Sequence, residues 1–154
     1  MTRNIIADRT EIVELLSRCF RGVDDRTADQ VWVESVFADN ARLEYPTGTA
    51  HGRKAILEAH RTIIDYFKAT HHVTTDAIVD FDGDTAWLRA NVTAMHVFSD
   101  RNRDAASLEA HFIVGGILDI HAARTDDGWR FTNLTLTVVW RSGAIPLGLH
   151  GLTP

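Results

Sequence analysis

Residues 70–98 read THHVTTDAIVDFDGDTAWLRANVTAMHVF, and this stretch decides the fold. Two apolar, β-branched runs flank a central tetrapeptide, Asp82-Gly83-Asp84-Thr85. A glycine in such a turn supplies the positive φ that lets two antiparallel strands reverse, so the stretch predicts a β-hairpin. Counting outward from the turn, the two far ends of the hairpin lie side by side.

Histidines mark these far ends. His71 and His72 belong to the first strand, and His96 belongs to the second. An imidazole titrates near neutral pH, so a histidine held beside a carboxylate can take up and return protons in a small-molecule site. The sequence therefore predicts a site of this kind at the open end of the hairpin.

Strand parity leaves open which histidine of the pair faces inward. The more apolar parity of the first strand includes Val73, Val79 and Phe81, and its continuation would turn His71 inward. A β-bulge within the strand would reset the register and turn His72 inward instead. Both histidines remain candidates at this point.

Helices are predicted before the hairpin. Apolar residues at helical spacing indicate a first helix over residues 7–23, a second from Thr27 as its N-cap to Val36, and a third over residues 53–67. The remaining segments before the hairpin are a turn at 37–40, a short strand at 41–45 and a loop or short strand pair at 47–52.

Two long strands are predicted after the hairpin, following a charged connection over residues 99–105. The first, residues 107–124, contains Gly115-Gly116, and adjacent glycines in a strand usually mark a bulge at which a sheet curls. The second covers residues 129–140. Helices followed by four long strands with short turns predict an α+β domain, with three N-terminal helices packed in a curled antiparallel sheet.

Composition and charge narrow the classes of function. The 154 residues, 45% of them hydrophobic, fit one domain over residues 1–154. The net charge of −5 provides no basic surface, so we expect no nucleic-acid partner and no membrane partner. The first residues lack the apolar segment of a signal peptide, and no apolar run approaches the roughly 20 residues of a membrane span. A cytoplasmic protein is the expectation.

Metal and thiol chemistry are not predicted. The chain has eight histidines, but none of them falls in an HxH or HExxH spacing, so no metal site is expected. Its one cysteine, Cys19, lies in the apolar stripe of the first helix. Cys19 is therefore predicted to be a small core residue.

Several phrases of the sequence carry a resemblance to a known family, and they follow one another in order over residues 9–137. They are Ile12-Val13-Glu14-Leu15-Leu16, Phe20-Arg21-Gly22-Val23-Asp24, Phe37-Ala38-Asp39-Asn40-Ala41, residues 72–76, Asp82-Gly83-Asp84-Thr85-Ala86 and Asp127-Gly128-Trp129-Arg130-Phe131. Together they resemble the SnoaL-like branch of the nuclear-transport-factor-2-like (NTF2-like) superfamily. That branch includes scytalone dehydratase, ketosteroid isomerase-like proteins and polyketide cyclases.

The resemblance implies a cone with a deep, mostly apolar pocket, no cofactor, and a catalytic pair. Many dehydratases and dehydrochlorinases of the family use an Asp at the end of the first helix to orient a His of the central hairpin, which acts as the base. These positions match Asp24 and His72, with Asp25 and His71 as alternates. The residues matched to substrate binding are Tyr45, His96 and Phe20.

Two functions are compatible with this resemblance. The first is a cofactor-independent lyase or isomerase that abstracts a proton from a small, largely apolar cyclic molecule such as a polyketide, steroid or aromatic intermediate. The second is a non-catalytic ligand-binding or assembly protein of the same fold, including the small subunit of an aromatic-ring dioxygenase. A homo-oligomer, either dimer or trimer, is expected because a sheet face with Trp87, Met95 and Val97 needs covering.

Overall fold

The computed structural model describes residues 4–102 and 110–146 of the chain. Its elements in chain order are helix α1 (Ile5–Asp24), helix α2 (Gln30–Val36), strand β1 (Phe37–Tyr45), strand β2 (Gly48–His51), helix α3 (Gly52–Tyr66), strand β3 (Phe67–Asp82), strand β4 (Thr85–Phe98), strand β5 (His111–Thr125) and strand β6 (Gly128–Gly143). No helix within these two ranges is long and apolar enough to cross a membrane.

The six strands form one curled sheet in the order β2-β1-β6-β5-β4-β3, and the three helices pack against it. The predicted α+β fold is confirmed. The prediction of a wholly antiparallel sheet was wrong for one pair, because β1 runs parallel to β6. The predicted turn at residues 37–40 was also wrong, since these residues begin β1 directly after α2. Among the described residues, β2 and β3 are the two edges of the sheet, which is open there and does not close into a barrel.

The N-terminal helices follow the predicted apolar stripe. Helix α1 buries Ile12, Leu16 and Cys19, and Cys19 is 0% exposed, as predicted for a core residue. The predicted N-cap of α2 was wrong. The side chain of Asp29, and not that of Thr27, accepts the backbone N–H of Trp32 at 2.8 Å, because α2 begins only at Gln30 and Thr27 belongs to the turn that ends α1, where its N–H bonds to the carbonyl of Gly22.

The central hairpin is confirmed, with Asp82 paired to Thr85 across the turn and Gly83 at a φ of +53°. Its first strand, β3, contains a bulge between Thr75 and Ile78, where Asp76 adopts a left-handed φ of +56°. The bulge switches the parity of the strand. Odd-numbered residues from Ala77 to Phe81 face inward beyond the bulge, whereas even-numbered residues from Thr70 to Thr74, including His72, face inward before it.

A second bulge curls the far side of the sheet, as the glycine pair predicted. Gly115 pairs with Trp140 and Gly116 pairs with Val138, which leaves Val139 as an extra residue in β6. The indole of Trp140 covers Gly115 so closely that a Cβ there would overlap it. Val138 keeps the inward-facing parity of Leu136, and the bulge turns Trp140, which would otherwise continue that parity, to the outer face, where it is 49% exposed.

Candidate active site

The site is built where the end of α1 meets the start of β3. Helix α1 closes with Arg26 in the left-handed region (φ +58°) and with the backbone N–H of Thr27 bonded to the carbonyl of Gly22 at 2.8 Å, a common helix-terminating motif. The guanidinium of Arg26 then donates to the carbonyl of Phe67, the first residue of β3, at 3.1 Å. These contacts hold Asp24, the last residue of α1, opposite β3.

Asp24 and His72 are joined by two hydrogen bonds. Nδ1 of His72 lies 2.7 Å from Oδ1 of Asp24, and the backbone N–H of His72 donates to Oδ2 at 2.9 Å. The hydroxyl of Thr70 donates to Oδ1 at 2.8 Å. The carboxylate of Asp24 therefore accepts three hydrogen bonds from one strand, which fixes its position relative to the His72 ring.

The charge state of Asp24 follows from these contacts. Burial acts to raise the pKa of Asp24, but the hydrogen bonds from His72 and Thr70 outweigh it and hold the pKa below its ordinary value. An ionised carboxylate can only accept, so the hydrogen between the two groups resides on Nδ1 of His72. In the neutral form of the ring, this arrangement places the lone pair on Nε2, the atom at which an imidazole can then accept a proton.

The ring of His72 is held on both sides. Phe20 stacks against it with ring centroids 4.6 Å apart and planes 18° apart, and His96 meets it edge to face at 5.8 Å. The side chain of His72 is 10% exposed. The ring is thus fixed in orientation while one edge reaches an adjoining cavity.

The cavity is mostly apolar and open at one end, with an empty volume of about 720 Å³ that includes the part in contact with solvent. Its polar side chains are Tyr45, Thr47, His60, His72 and His96. The apolar remainder is Phe20, Val23, Pro46, Ile63, Phe67, Val92, Ala94, Phe112, Val114, Leu118, Leu136 and Val138. Such a lining suits a compact, uncharged ligand.

His96 lines this cavity from β4. Its Nδ1 lies 3.3 Å from the carbonyl of Phe112, and the ring is nearly buried. Burial, with a smaller contribution from the neighbouring His72, lowers the pKa of His96 to about 4. His96 is therefore neutral at pH 7 and acts as a hydrogen-bonding group without a charge.

Tyr45 and His60 form a second polar pair in the lining. Nδ1 of His60 lies 2.8 Å from the carbonyl of Ile56, and Nε2 lies 3.5 Å from the hydroxyl of Tyr45. Burial lowers the pKa of His60 to about 4 and raises the pKa of Tyr45 well above 10. Both groups are neutral at pH 7.

The structure brings together the five predicted residues Asp24, His72, Tyr45, His96 and Phe20, of which four line the cavity and Asp24 bonds to one of them. The two alternates lie elsewhere. Asp25 pairs with Arg21 at 2.9 Å on the exposed side of α1, and His71 is exposed on the opposite face of β3.

Two residues of the site were not predicted. His60 was not singled out in the sequence as a site residue, although its spacing of four residues from both Ile56 and Ile64 placed it on the buried face of α3. Thr70 was not singled out at all, because its contact with Asp24 spans 46 residues of sequence. Within the described ranges, no group of three or more His, Cys, Asp or Glu side chains is arranged to hold a metal ion.

Comparisons with known proteins agree with this architecture. The profile of the SnoaL-like domain family matches residues 4–135. Among solved structures, the Kfla4162 protein from Kribbella flavida is similar with a TM-score of 0.82 and 27% identity, over 90% of this chain and 95% of that one. No curated protein sequence matches the chain.

Two further structures share the fold. Hexachlorocyclohexane dehydrochlorinase LinA-type3 from Novosphingobium barchaimii LL02 is similar with a TM-score of 0.76 and 20% identity, over 97% of each chain. A nuclear transport factor 2-like superfamily protein from Salmonella enterica is similar with a TM-score of 0.73 and 18% identity, over 95% of this chain and 97% of that one. The NTF2-like fold predicted from the sequence is confirmed.

Proposed function

The chain belongs to the SnoaL-like domain family, and from that premise we propose that it is a lyase or isomerase that needs no cofactor. It abstracts a proton from a small, largely apolar cyclic substrate, such as a polyketide, steroid or aromatic intermediate. His72 is the base and Asp24 orients it. The observation that carries the proposal is the 2.7 Å contact between Nδ1 of His72 and Oδ1 of Asp24 beside an apolar cavity.

The mechanism begins with the lone pair on Nε2 of His72. This nitrogen removes a proton from a substrate carbon, and the ionised Asp24 stabilises the imidazolium that forms. In an elimination, the electron pair of the broken C–H bond becomes a double bond and expels a leaving group from the neighbouring carbon. In an isomerisation, His72 returns the proton to a different carbon. A positioned general base of this kind contributes about 10²–10⁴-fold to the rate.

The composition of the cavity supports the proposed class of substrate. Apolar side chains make up most of its lining, and burial keeps His60 and His96 uncharged at pH 7. The ionised Asp24 is the charge nearest to the base, so an anionic substrate would be repelled. The similarity to a hexachlorocyclohexane dehydrochlorinase is consistent with an uncharged cyclic substrate and an elimination.

The proposal is tested by hydrogen exchange on cyclic ketones in heavy water. We expect the protein to accelerate deuterium incorporation next to the carbonyl of 1-indanone and of its 5-hydroxy derivative, followed by NMR. His72→Ala should lower the accelerated rate by at least about 10²-fold. His71→Ala is the matched control, since His71 is the neighbouring, exposed imidazole, and should leave the rate unchanged. Equal rates in wild type and His72→Ala would contradict the proposal.

We also propose that the protein is a homo-oligomer that associates through the outer face of its sheet. This face carries apolar side chains from three strands that remain exposed in one chain. They are Val73 and Ile78 of β3, Met95 of β4, and Val139 and Trp140 of β6. Monomeric proteins rarely leave several large apolar side chains exposed on one surface.

A further inference from the structure

Three histidines line the cavity, and each has its Nδ1 beside an oxygen that can only accept a hydrogen bond. The hydrogen must therefore reside on Nδ1 in all three rings, and in a neutral ring, as His60 and His96 are at pH 7, Nε2 carries a lone pair. The pairs are His60 with the carbonyl of Ile56 at 2.8 Å, His72 with the carboxylate of Asp24 at 2.7 Å, and His96 with the carbonyl of Phe112 at 3.3 Å.

This assignment fixes the direction of the Tyr45 hydroxyl. His60 is 2% exposed, so the lone pair of its Nε2 is shielded from bulk water. The group placed beside that lone pair is the hydroxyl of Tyr45, with Oη 3.5 Å from Nε2. A buried acceptor is costly to leave without a donor, so the O–H of Tyr45 points at His60. The lone pairs of the same oxygen are then available to the cavity.

We propose that Tyr45, with its hydroxyl oriented by His60, is a subsite that accepts a hydrogen bond from a hydroxyl group of the ligand. The substrate is accordingly a neutral ring compound that bears a free hydroxyl. This inference rests on the proposed function, because it names the substrate class for the same cavity.

The other polar groups of the lining fit this class of ligand. Nε2 of His96 is an acceptor as well, and the hydroxyl of Thr47 can either donate or accept. The lining contains no Lys or Arg among the described residues. An ether oxygen can only accept a hydrogen bond, so it would face the lone pairs of these acceptors without a donor between them. A ligand carboxylate would in addition be repelled by the negative charge of Asp24.

Binding of three inert probes tests the subsite. The probes are 5-indanol, its methyl ether 5-methoxyindane, and unsubstituted indane, and their dissociation constants are measured at pH 7 by calorimetry on the full-length protein. We expect wild type to bind 5-indanol about tenfold more tightly than 5-methoxyindane, the effect of one buried hydrogen bond. Equal affinities for the two probes, or no binding of 5-indanol, would overturn the inference.

Two variants assign the preference to the proposed pair. Tyr45→Phe should bind both probes equally, because the accepting oxygen is gone. His60→Leu should reduce the tenfold preference by strengthening binding of 5-methoxyindane, since the freed hydroxyl of Tyr45 can then donate to the ether. Indane should bind to all three proteins with the same affinity, which reports an intact cavity. An undiminished tenfold preference in Tyr45→Phe would show that the hydroxyl binds elsewhere.

Ring-nitrogen NMR tests the premise without any substitution. In ¹⁵N-histidine-labelled wild type at pH 7, His60 should show a protonated Nδ1 and a bare Nε2. A proton on Nε2 would make Tyr45 the acceptor from His60 and overturn the inference.

Neither the binding measurement nor the NMR measurement depends on turnover. A hydroxyl preference without deuterium exchange leaves the subsite standing and refutes the proposed base, and the reverse result refutes the subsite alone.

Discussion

Asp24 and His72 are joined at two points, because the same carboxylate accepts both the imidazole Nδ1–H and the backbone N–H of His72. The backbone bond places the carboxylate relative to the strand, and the side-chain bond then sets the tilt of the ring. The ring of His72 therefore does not need to change its orientation before it accepts a proton. The geometry favours a base that is already oriented when the ligand enters the cavity.

Asp24→Asn should lower the rate of ketone exchange by about 10²–10⁴-fold. An amide in place of the carboxylate no longer stabilises the imidazolium, and its NH₂ group can hold His72 in the wrong tautomer. The rate is measured by NMR in heavy water. Asp25→Asn is the matched control, because Asp25 is the adjacent carboxylate and pairs with Arg21 on the exposed side of α1. An unchanged rate in Asp24→Asn would rule out the orienting role.

Stability should fall as the pH is lowered from about 6.5 to about 4. Burial lowers the pKa of His60 and of His96 from 6.5 to about 4 in the folded protein. In this window the unfolded chain binds a proton at each histidine and the folded protein does not, so acidification favours unfolding. The expected slope is about 1.4 kcal/mol per pH unit for each histidine.

Urea unfolding across this pH range measures that slope. His96→Phe should remove about half of the contribution of the two histidines, because the variant has no imidazole to titrate at that position. His121→Phe is the control at an exposed histidine and should leave the slope unchanged. Asp24 acts at lower pH, because its pKa is depressed and its contribution to stability is lost only as the pH falls through that folded value. A flat stability between pH 6.5 and 4 would contradict the buried, neutral state of His60 and His96.

Asp76→Val should destabilise the protein by about 1–2 kcal/mol, whereas Asp76→Asn should have little effect. Asp76 has a left-handed φ of +56°, which Asn tolerates and a β-branched side chain does not. Its Oδ2 also accepts the side-chain amide of Asn91 at 2.9 Å. The free energy of unfolding in urea distinguishes the two variants, and equal values for them would show that this bulge is not under conformational constraint.

Sedimentation of the wild type should reveal a dimer or trimer at micromolar concentration. Met95→Asp places a charge on the outer face of the sheet, where the Met95 side chain is 40% exposed, and should shift the protein toward monomer. Val31→Asp is the matched control, because Val31 is an exposed apolar residue of α2, away from the sheet. A monomeric wild type, or equal sedimentation of the Met95 and Val31 variants, would refute association through this face.

The sequence predicts those parts of the molecule that depend on local chemistry. The Gly83 turn, the buried stripe of α1 and the curl at Gly115-Gly116 all follow from residues close together in the chain. Local chemistry did not decide whether His71 or His72 faces inward, because a bulge in β3 was only one of two alternatives. Its position at Asp76 depends on a side-chain bond to Asn91 on the next strand.

Features set by distant contacts were not predictable from local patterns. Residues 37–40 contain Asp39 and Asn40, which favour a turn, yet they extend β1 because Phe37 finds its partner in Phe131 of β6. Likewise, the sequence around Thr70 is that of an ordinary strand, and its role depends on Asp24, which α1 places within hydrogen-bond distance of it. Secondary-structure propensity depends on one segment of the chain, whereas the conformation of residues 37–40 and the role of Thr70 depend on contacts between two segments.

The parallel pairing of β1 with β6 has a consequence for biosynthesis. Phe37 and Phe131 are neighbours in the sheet but are separated by more than half of the chain, so during translation β1 leaves the ribosome long before its partner exists. Until then one edge of the β1–β2 ribbon offers unsatisfied backbone groups to any other nascent chain. Of the strands that the structure describes, β6 is synthesised last and is the one that shields β1, so a chain that terminates before β6 leaves this edge open to aggregation.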